Sequence, residues 1–190
     1  MTEEITAPGL HKNGKLAEAL EAMLFVSTEP VTLSELSGML DTPEKEIEEA
    51  LETLKNRLSG SVTLTQIAGG YRLCTAPEYE EYCRMILQPA SKKLSRAAFE
   101  TLAIIAYRQP CTVPEAEAVR GVAVGGPVKT LMDRGLIKEA GRRNTPGKPM
   151  QYATTPEFLE YFGLNSVDDL PDIDEIKKTV SPEPDTVTLL

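Results

Sequence analysis

The sequence predicts a mainly α fold with small β-hairpins, built as two tandem units of one plan. Residues 94–164 carry three helix-sized apolar patterns. Two strand-like runs follow, Leu136–Gly141 and Met150–Thr154, separated by the polar, basic loop Arg142–Pro149. Three helices followed by a hairpin with a basic loop is the ground plan of a winged-helix domain. The same order of elements occurs upstream, and the sequence itself repeats. Thr75–Tyr82 lines up with Thr154–Tyr161 at a spacing of 79 residues, and Glu29–Thr32 with Gln109–Thr112 at a spacing of 80. Two anchors at nearly one spacing predict a tandem pair of winged-helix domains.

In the first unit a helix is expected from about Leu16 to Ser27, with Ala19, Leu20, Met23 and Leu24 on one face. Glu29-Pro30 ends it. Thr32 to Glu35 reads as a capping box opening a short helix to Leu40. Thr42-Pro43 is read as the cap and first position of a third helix, whose apolar face is Ile47, Leu51, Leu54 and Leu58. Val62, Leu64 and Ile67 alternate as a strand, Gly69-Gly70 supply a turn, and Tyr71–Cys74 return. A helix over Pro77–Leu87 closes the unit. In the second unit Ser95 caps a helix buried through Ala98, Leu102, Ile105 and Ala106, with Leu94 and Phe99 at the spacing of a hydrophobic staple. Pro110 ends that helix, Thr112 caps the next, and Gly126–Arg134 is the third. Asn165–Leu170 adds a turn of helix.

These readings divide the chain into a disordered N-terminus (1–14), an N-terminal winged-helix domain (15–88), a linker (89–93), a C-terminal winged-helix domain (94–167) and an acidic, disordered tail (168–190). Net charge is −9, distributed unevenly: −7 over 15–90, +4 over 91–167 and −5 over 168–190. Phosphate binding needs clustered Lys and Arg, so any nucleic-acid contact is confined to the second domain. No run approaches the roughly 18 apolar residues of a membrane span, and residues 1–15 have no apolar core of an export signal. Three cysteines without a C-x-x-C spacing then suit reduced thiols in a cytoplasm.

Chemistry is scarce. His11, the single histidine, lies in the N-terminal stretch, so no Ser–His or Cys–His pair and no zinc ligand set is expected. Gly121–Gly126 lacks the G-K-[ST] ending of a phosphate loop and reads as a flexible turn between two helices. The expectation is therefore no catalytic residue, no cofactor and no metal. The candidates are surfaces. The third helix of the first unit carries five acids and Asp41 before it, against Lys45, Lys55 and Arg57, and phosphate repels such a helix. In the second unit Lys129 and Arg134 of the third helix, with Arg142, Arg143 and Lys148 of the wing, are candidate contacts to an acidic partner or to phosphate. Met23, Leu24, Phe25 and Val26 are consecutive and cannot all face one small core, which makes them a candidate dimer contact.

The chain resembles the segregation and condensation protein B family, ScpB, over roughly residues 16–171. The resemblance rests on Glu21–Ser27 with Pro30, Gly70–Leu73, Leu94–Tyr107 with Gln109-Pro110, and Arg120-Gly121-Val122. It continues through Leu131, Arg134–Ile137, Gly141-Arg142, Pro146–Pro149, Tyr152, Thr154-Thr155, Phe158-Leu159, Phe162–Leu164 and Leu170-Pro171. It implies two winged-helix domains in a cytoplasmic, nucleoid-associated homodimer joined through the N-terminal domains. It further implies binding to the middle of the kleisin ScpA and, through it, to the SMC ATPase, in chromosome condensation and partition during cell division. DNA contact is then indirect or weak, and no membrane or small-molecule substrate is involved. Two positions depart from the family pattern: Ala123–Gly126, where a more polar turn is expected, and Lys148, where the family commonly carries Arg. The competing reading is a winged-helix DNA-binding transcription regulator that uses the second domain as its reader.

Overall fold

The computed structural model describes residues 15–86 and 93–172. The expectations for 1–14, for most of the linker and for the tail beyond 172 lie outside the described residues. The chain divides into two compact units, Met1–Gln88 and Pro89–Leu190.

The first unit runs α1 (Leu16–Val26), β1 (Val31–Thr32), α2 (Leu33–Leu40), α3 (Glu44–Arg57), β2 (Val62–Ile67), β3 (Gly70–Thr75) and, after a 3-10 turn at Pro77–Tyr79, α4 (Glu80–Ile86). Its sheet has the order β1-β3-β2, all antiparallel. This is the winged-helix arrangement: three helices, a two-stranded wing, and a short strand between the first two helices that joins the sheet. The core is Leu20 and Leu24 from α1, Leu36 and Leu40 from α2, and Ile47, Leu51 and Leu54 from α3, closed by Leu64. Full burial of such a side chain is worth about 1.5–3 kcal/mol.

Several local predictions hold for physical reasons. At the start of α2 the Glu35 backbone N–H donates to the Thr32 hydroxyl while the Glu35 carboxylate accepts from the Thr32 backbone N–H at 2.8 Å, the reciprocal capping box. Others need correction. Thr42 does not cap α3: its hydroxyl donates to the Leu40 carbonyl at 3.0 Å. Pro43, with φ −55° and ψ 140°, is the residue outside the helix, which begins at Glu44. The left-handed Asp41 at the end of α2 turns the chain so that Thr42 faces back toward α2. The tight turn of the first wing is Ala68-Gly69, both at positive φ, whereas Gly70 pairs with Ile67 inside the strands. The predicted helix over Pro77–Leu87 is the 3-10 turn followed by the short α4; Leu87 lies outside the described residues. The inward face of α1 holds Leu20 and Leu24 as expected, with Met23 half-buried beside them, and it takes in Ala17 rather than Ala19.

The second unit repeats the plan: α5 (Arg96–Arg108), β4 (Cys111–Thr112), α6 (Val113–Arg120), α7 (Gly125–Asp133), β5 (Ile137–Arg142), β6 (Met150–Thr154) and α8 (Pro156–Phe162), with sheet order β4-β6-β5. A 3-10 turn at Val167–Asp169 follows. Ser95 caps α5 by accepting from the Ala98 N–H at 3.2 Å, and all four apolar positions predicted for that helix are buried. Gly121 closes α6 in the left-handed conformation and Val124 is fully buried, so the turn is Gly121–Val124. Gly125 and Gly126 belong to the first turn of α7, not to a flexible loop. The core joins α5, α6, α7 and Phe158 of α8, whose neighbour Phe162 lies 6.3 Å from Phe99 of α5.

Candidate interaction surfaces

Helix phase decides which residues of the apolar run on α1 reach the surface. Burial at 17, 20 and 24 turns the next two positions away by about 100° each. Leu24 is therefore 2% exposed and belongs to its own domain's core, so it cannot face a partner. Met23 is half-buried against the same core. Phe25 and Val26, by contrast, are 80% and 76% exposed. A second apolar surface, not anticipated from the sequence, lies on α4. That helix buries no residue and exposes Tyr82, Met85 and Ile86. Tyr and Met among three charges gave the spacing of a helix without saying that none of its residues is buried among the described residues.

The position of the third helix in the first unit is occupied by an acidic surface. Glu48 and Glu52 of α3 flank a shallow groove floored by Leu51, Leu64 and Tyr71, with Lys55 and Gln66 at its edge. Like charge makes this face repel phosphate.

The five candidate cations of the second unit separate into two kinds. Arg143 is committed internally: its guanidinium pairs with the Glu115 carboxylate at 2.6 Å and donates to the Pro110 carbonyl at 3.2 Å. Its charge is partly offset by Glu115, while its side chain stays 39% exposed. The same carboxylate accepts from the Thr112 backbone N–H and the Thr112 hydroxyl, each at 2.9 Å. These hydrogen bonds, with Arg143 and Arg108 nearby, hold Glu115 below the usual carboxylate range. One carboxylate thus ties the wing to the start of α6, a role the Thr-x-x-Glu spacing at 112–115 could have revealed. Arg134 is half-buried at the end of α7 and reaches the Lys93 carbonyl at 3.5 Å. Arg142 donates to the Lys148 carbonyl at 3.1 Å across the wing loop, yet stays exposed. Lys129 on α7 and Lys148 at the wing are exposed. Arg142, Lys148 and Lys129 are the cations this surface presents to solvent.

Nearby charges are structural. Arg120 bonds the Glu100 carboxylate at 2.7 Å and the Thr101 hydroxyl at 3.3 Å, holding the end of α6 to α5. Cys111 is buried in β4, and desolvation pushes its thiol up from the ordinary range. Among the described residues no group of three or more His, Cys, Asp or Glu is placed to hold a metal, and no helix is long and apolar enough to cross a membrane.

The family of the segregation and condensation complex subunit ScpB matches residues 18–173, which covers both winged-helix units. The chain belongs to this family. Segregation and condensation protein B of Moorella thermoacetica is 45% identical over 164 residues, covering 85% of this chain and 84% of that one. Its counterpart in Symbiobacterium thermophilum is 44% identical over 158 residues, covering 82% and 72%. The crystal structure of ScpB from Mycobacterium tuberculosis shares 37% identity, covers 80% of this chain and 96% of that one, and has a TM-score of 0.38.

Proposed function

We propose that this chain is a non-enzymatic scaffold subunit of a condensin-like complex. In this reading it acts as a cytoplasmic, nucleoid-associated homodimer that binds the kleisin ScpA and, through it, the SMC ATPase, in chromosome condensation and partition during cell division. The observation that carries the proposal is the family match across both domains, residues 18–173, rather than across one winged helix alone. The surfaces agree with it. Phe25 and Val26 offer apolar area of the kind that protein interfaces bury. The acidic α3 sits where a DNA reader would be basic, and Arg143 is spent on Glu115.

The test is to mix the purified chain with the ScpA of its own organism after nuclease treatment and measure the mass of the eluted species by light scattering. A stable complex larger than either protein supports the scaffold reading. Failure to associate, together with steeply salt-dependent binding that prefers some DNA sequences over others, would instead favour a transcription regulator. Replacing Phe25 and Val26 by Asp tests the homodimer: the expected result is a halved mass with unchanged helicity.

A further inference from the structure

The two domains differ at one corresponding face. Helix α1 buries Ala17, Leu20 and Leu24, and α5 buries Ala98, Thr101 and Ile105 at the same spacing. Aligned in that phase, α5 has a second buried stripe, Leu102 and Ala106, at 1% and 4% exposure. The matching positions of α1 are Glu21, ion-paired at the surface with Arg57, and the exposed Phe25. One residue further on, Val26 is bare, whereas the hydroxyl of Tyr107 donates to the Pro171 carbonyl at 2.6 Å. The helices after the two wings differ in the same sense. Tyr79 is 40% exposed where Phe158 is 2% exposed. Met85 is 81% exposed, while Leu164 at the matching position packs on the second core.

What covers the second domain is visible. After α8 the chain makes a tight turn in which the Asp169 carboxylate accepts from the N–H groups of Asn165 and Ser166, at 2.9 and 2.8 Å. The Ser166 hydroxyl accepts from the Asp168 N–H at 3.2 Å, and the Leu170 N–H donates to the Val167 carbonyl at 3.2 Å. This turn delivers Leu170 to the core that contains Leu102 and Ala106, and Pro171 to Tyr107 at the end of α5.

We propose that Asn165–Pro171 is a strap that closes, on the second domain, the face on which the first domain self-associates. A second copy of this chain docks on the end of α1 and is kept off the end of α5. The strap holds self-association to one site per chain and so prevents open-ended growth. This rests on the homodimer reading above.

The experiment uses the full chain and light-scattering mass over a range of concentrations. Opening the strap with Tyr107→Phe and Leu170→Ser should add concentration-dependent species at about twice the wild-type mass and above. A synthetic peptide spanning residues 163–172, added in trans, should return the mass to the wild-type value. An unchanged mass at wild-type helicity overturns the proposal, as does growth that the peptide fails to reverse. Tyr107→Phe alone removes one hydrogen bond and no core atom, so it serves if the double variant does not fold; it should shift the mass the same way at higher concentration, and no shift overturns the proposal. The same opening on a Phe25→Asp, Val26→Asp background separates the two readings. If those Asp substitutions leave the wild-type mass unchanged, the α1 dimer reading fails. On that background, a peptide-reversible rise on opening supports the strap, and no rise overturns it.

Discussion

Gly70 shows how one residue can be fixed by its neighbours rather than by its dihedral angles. A Cβ built on it would sit 2.9 Å from the Pro30 carbonyl carbon and 3.0 Å from both the Pro30 Cβ and the Val31 carbonyl carbon. Two of those atoms are backbone and cannot swing aside. Gly70→Ala is therefore expected to lower first-domain stability by about 1–3 kcal/mol, seen as a reduced urea midpoint. Glu115 makes a second residue-scale prediction. Its carboxyl titrates lower in the folded chain than in the unfolded one. The stability it contributes is fully present above the unfolded carboxylate pKa and is lost as pH falls through the folded value. Wild type and Glu115→Gln should thus differ in second-domain stability near neutral pH and converge in acid, as followed by thermal melts across pH. Residue identity was also where the sequence misled. Glycine at 69 and 70 suggested that both served the turn. The hairpin instead sets Ala68 at φ 51°, and Gly70 is needed for close approach.

At the scale of elements, the capping boxes of α2 and α6 are the same device used twice. Thr32→Ala and Thr112→Ala should each cost about 1 kcal/mol, measurable as a shift in melting temperature of the domain concerned. The wing behaves as two parts. Arg142→Ala with Lys148→Ala should leave stability within about 0.5 kcal/mol, because both side chains lie exposed. Adding Arg143→Ala should lower stability further, because Glu115 and the Pro110 carbonyl then lose their partner. Equal melting curves for the double and triple variants would contradict the structural role of Arg143. Strongly periodic elements were legible in the sequence: α5 buries all four positions its apolar spacing marks, and α3 buries Ile47, Leu51 and Leu54, while Leu58 is its half-buried C-cap. Ends and phases were less so. Thr42-Pro43 fits a helix start in two registers, and only the left-handed Asp41 decides between them. Leu16–Val26 is apolar at most positions, so its sequence does not fix which stripe turns inward. Leu24 was read both as part of the inward face and as one of four consecutive candidate contacts, and its burial decides for the first. The cover on α5 joins Tyr107 to Pro171, far apart in sequence, which no local pattern encodes.

For the whole molecule, the two hydrophobic clusters are separate sets of residues, one per unit. Fragments 1–88 and 89–190 are accordingly expected to fold alone, each with a cooperative urea transition; a non-cooperative transition in either would show that its core depends on the other. The charge asymmetry was readable from the outset, with the acidic segment 15–88 in one unit and the basic segment 91–167 in the other. Which of the cations face solvent was not, because Arg142 ends β5 and Arg143, the next residue, reaches Glu115 and the Pro110 carbonyl from the loop.

The cysteines give the chain a built-in clock. Cys74 and Cys83 of the first unit are half-buried, whereas Cys111 lies sealed in β4 with its thiol held protonated by desolvation. A thiol-reactive label meets Cys111 only in the moments when the second unit opens. Its labelling rate, read site by site by mass spectrometry, therefore reports how often that unit breathes. Any partner that slows the labelling of Cys111 while leaving Cys74 and Cys83 unchanged has bound the second unit.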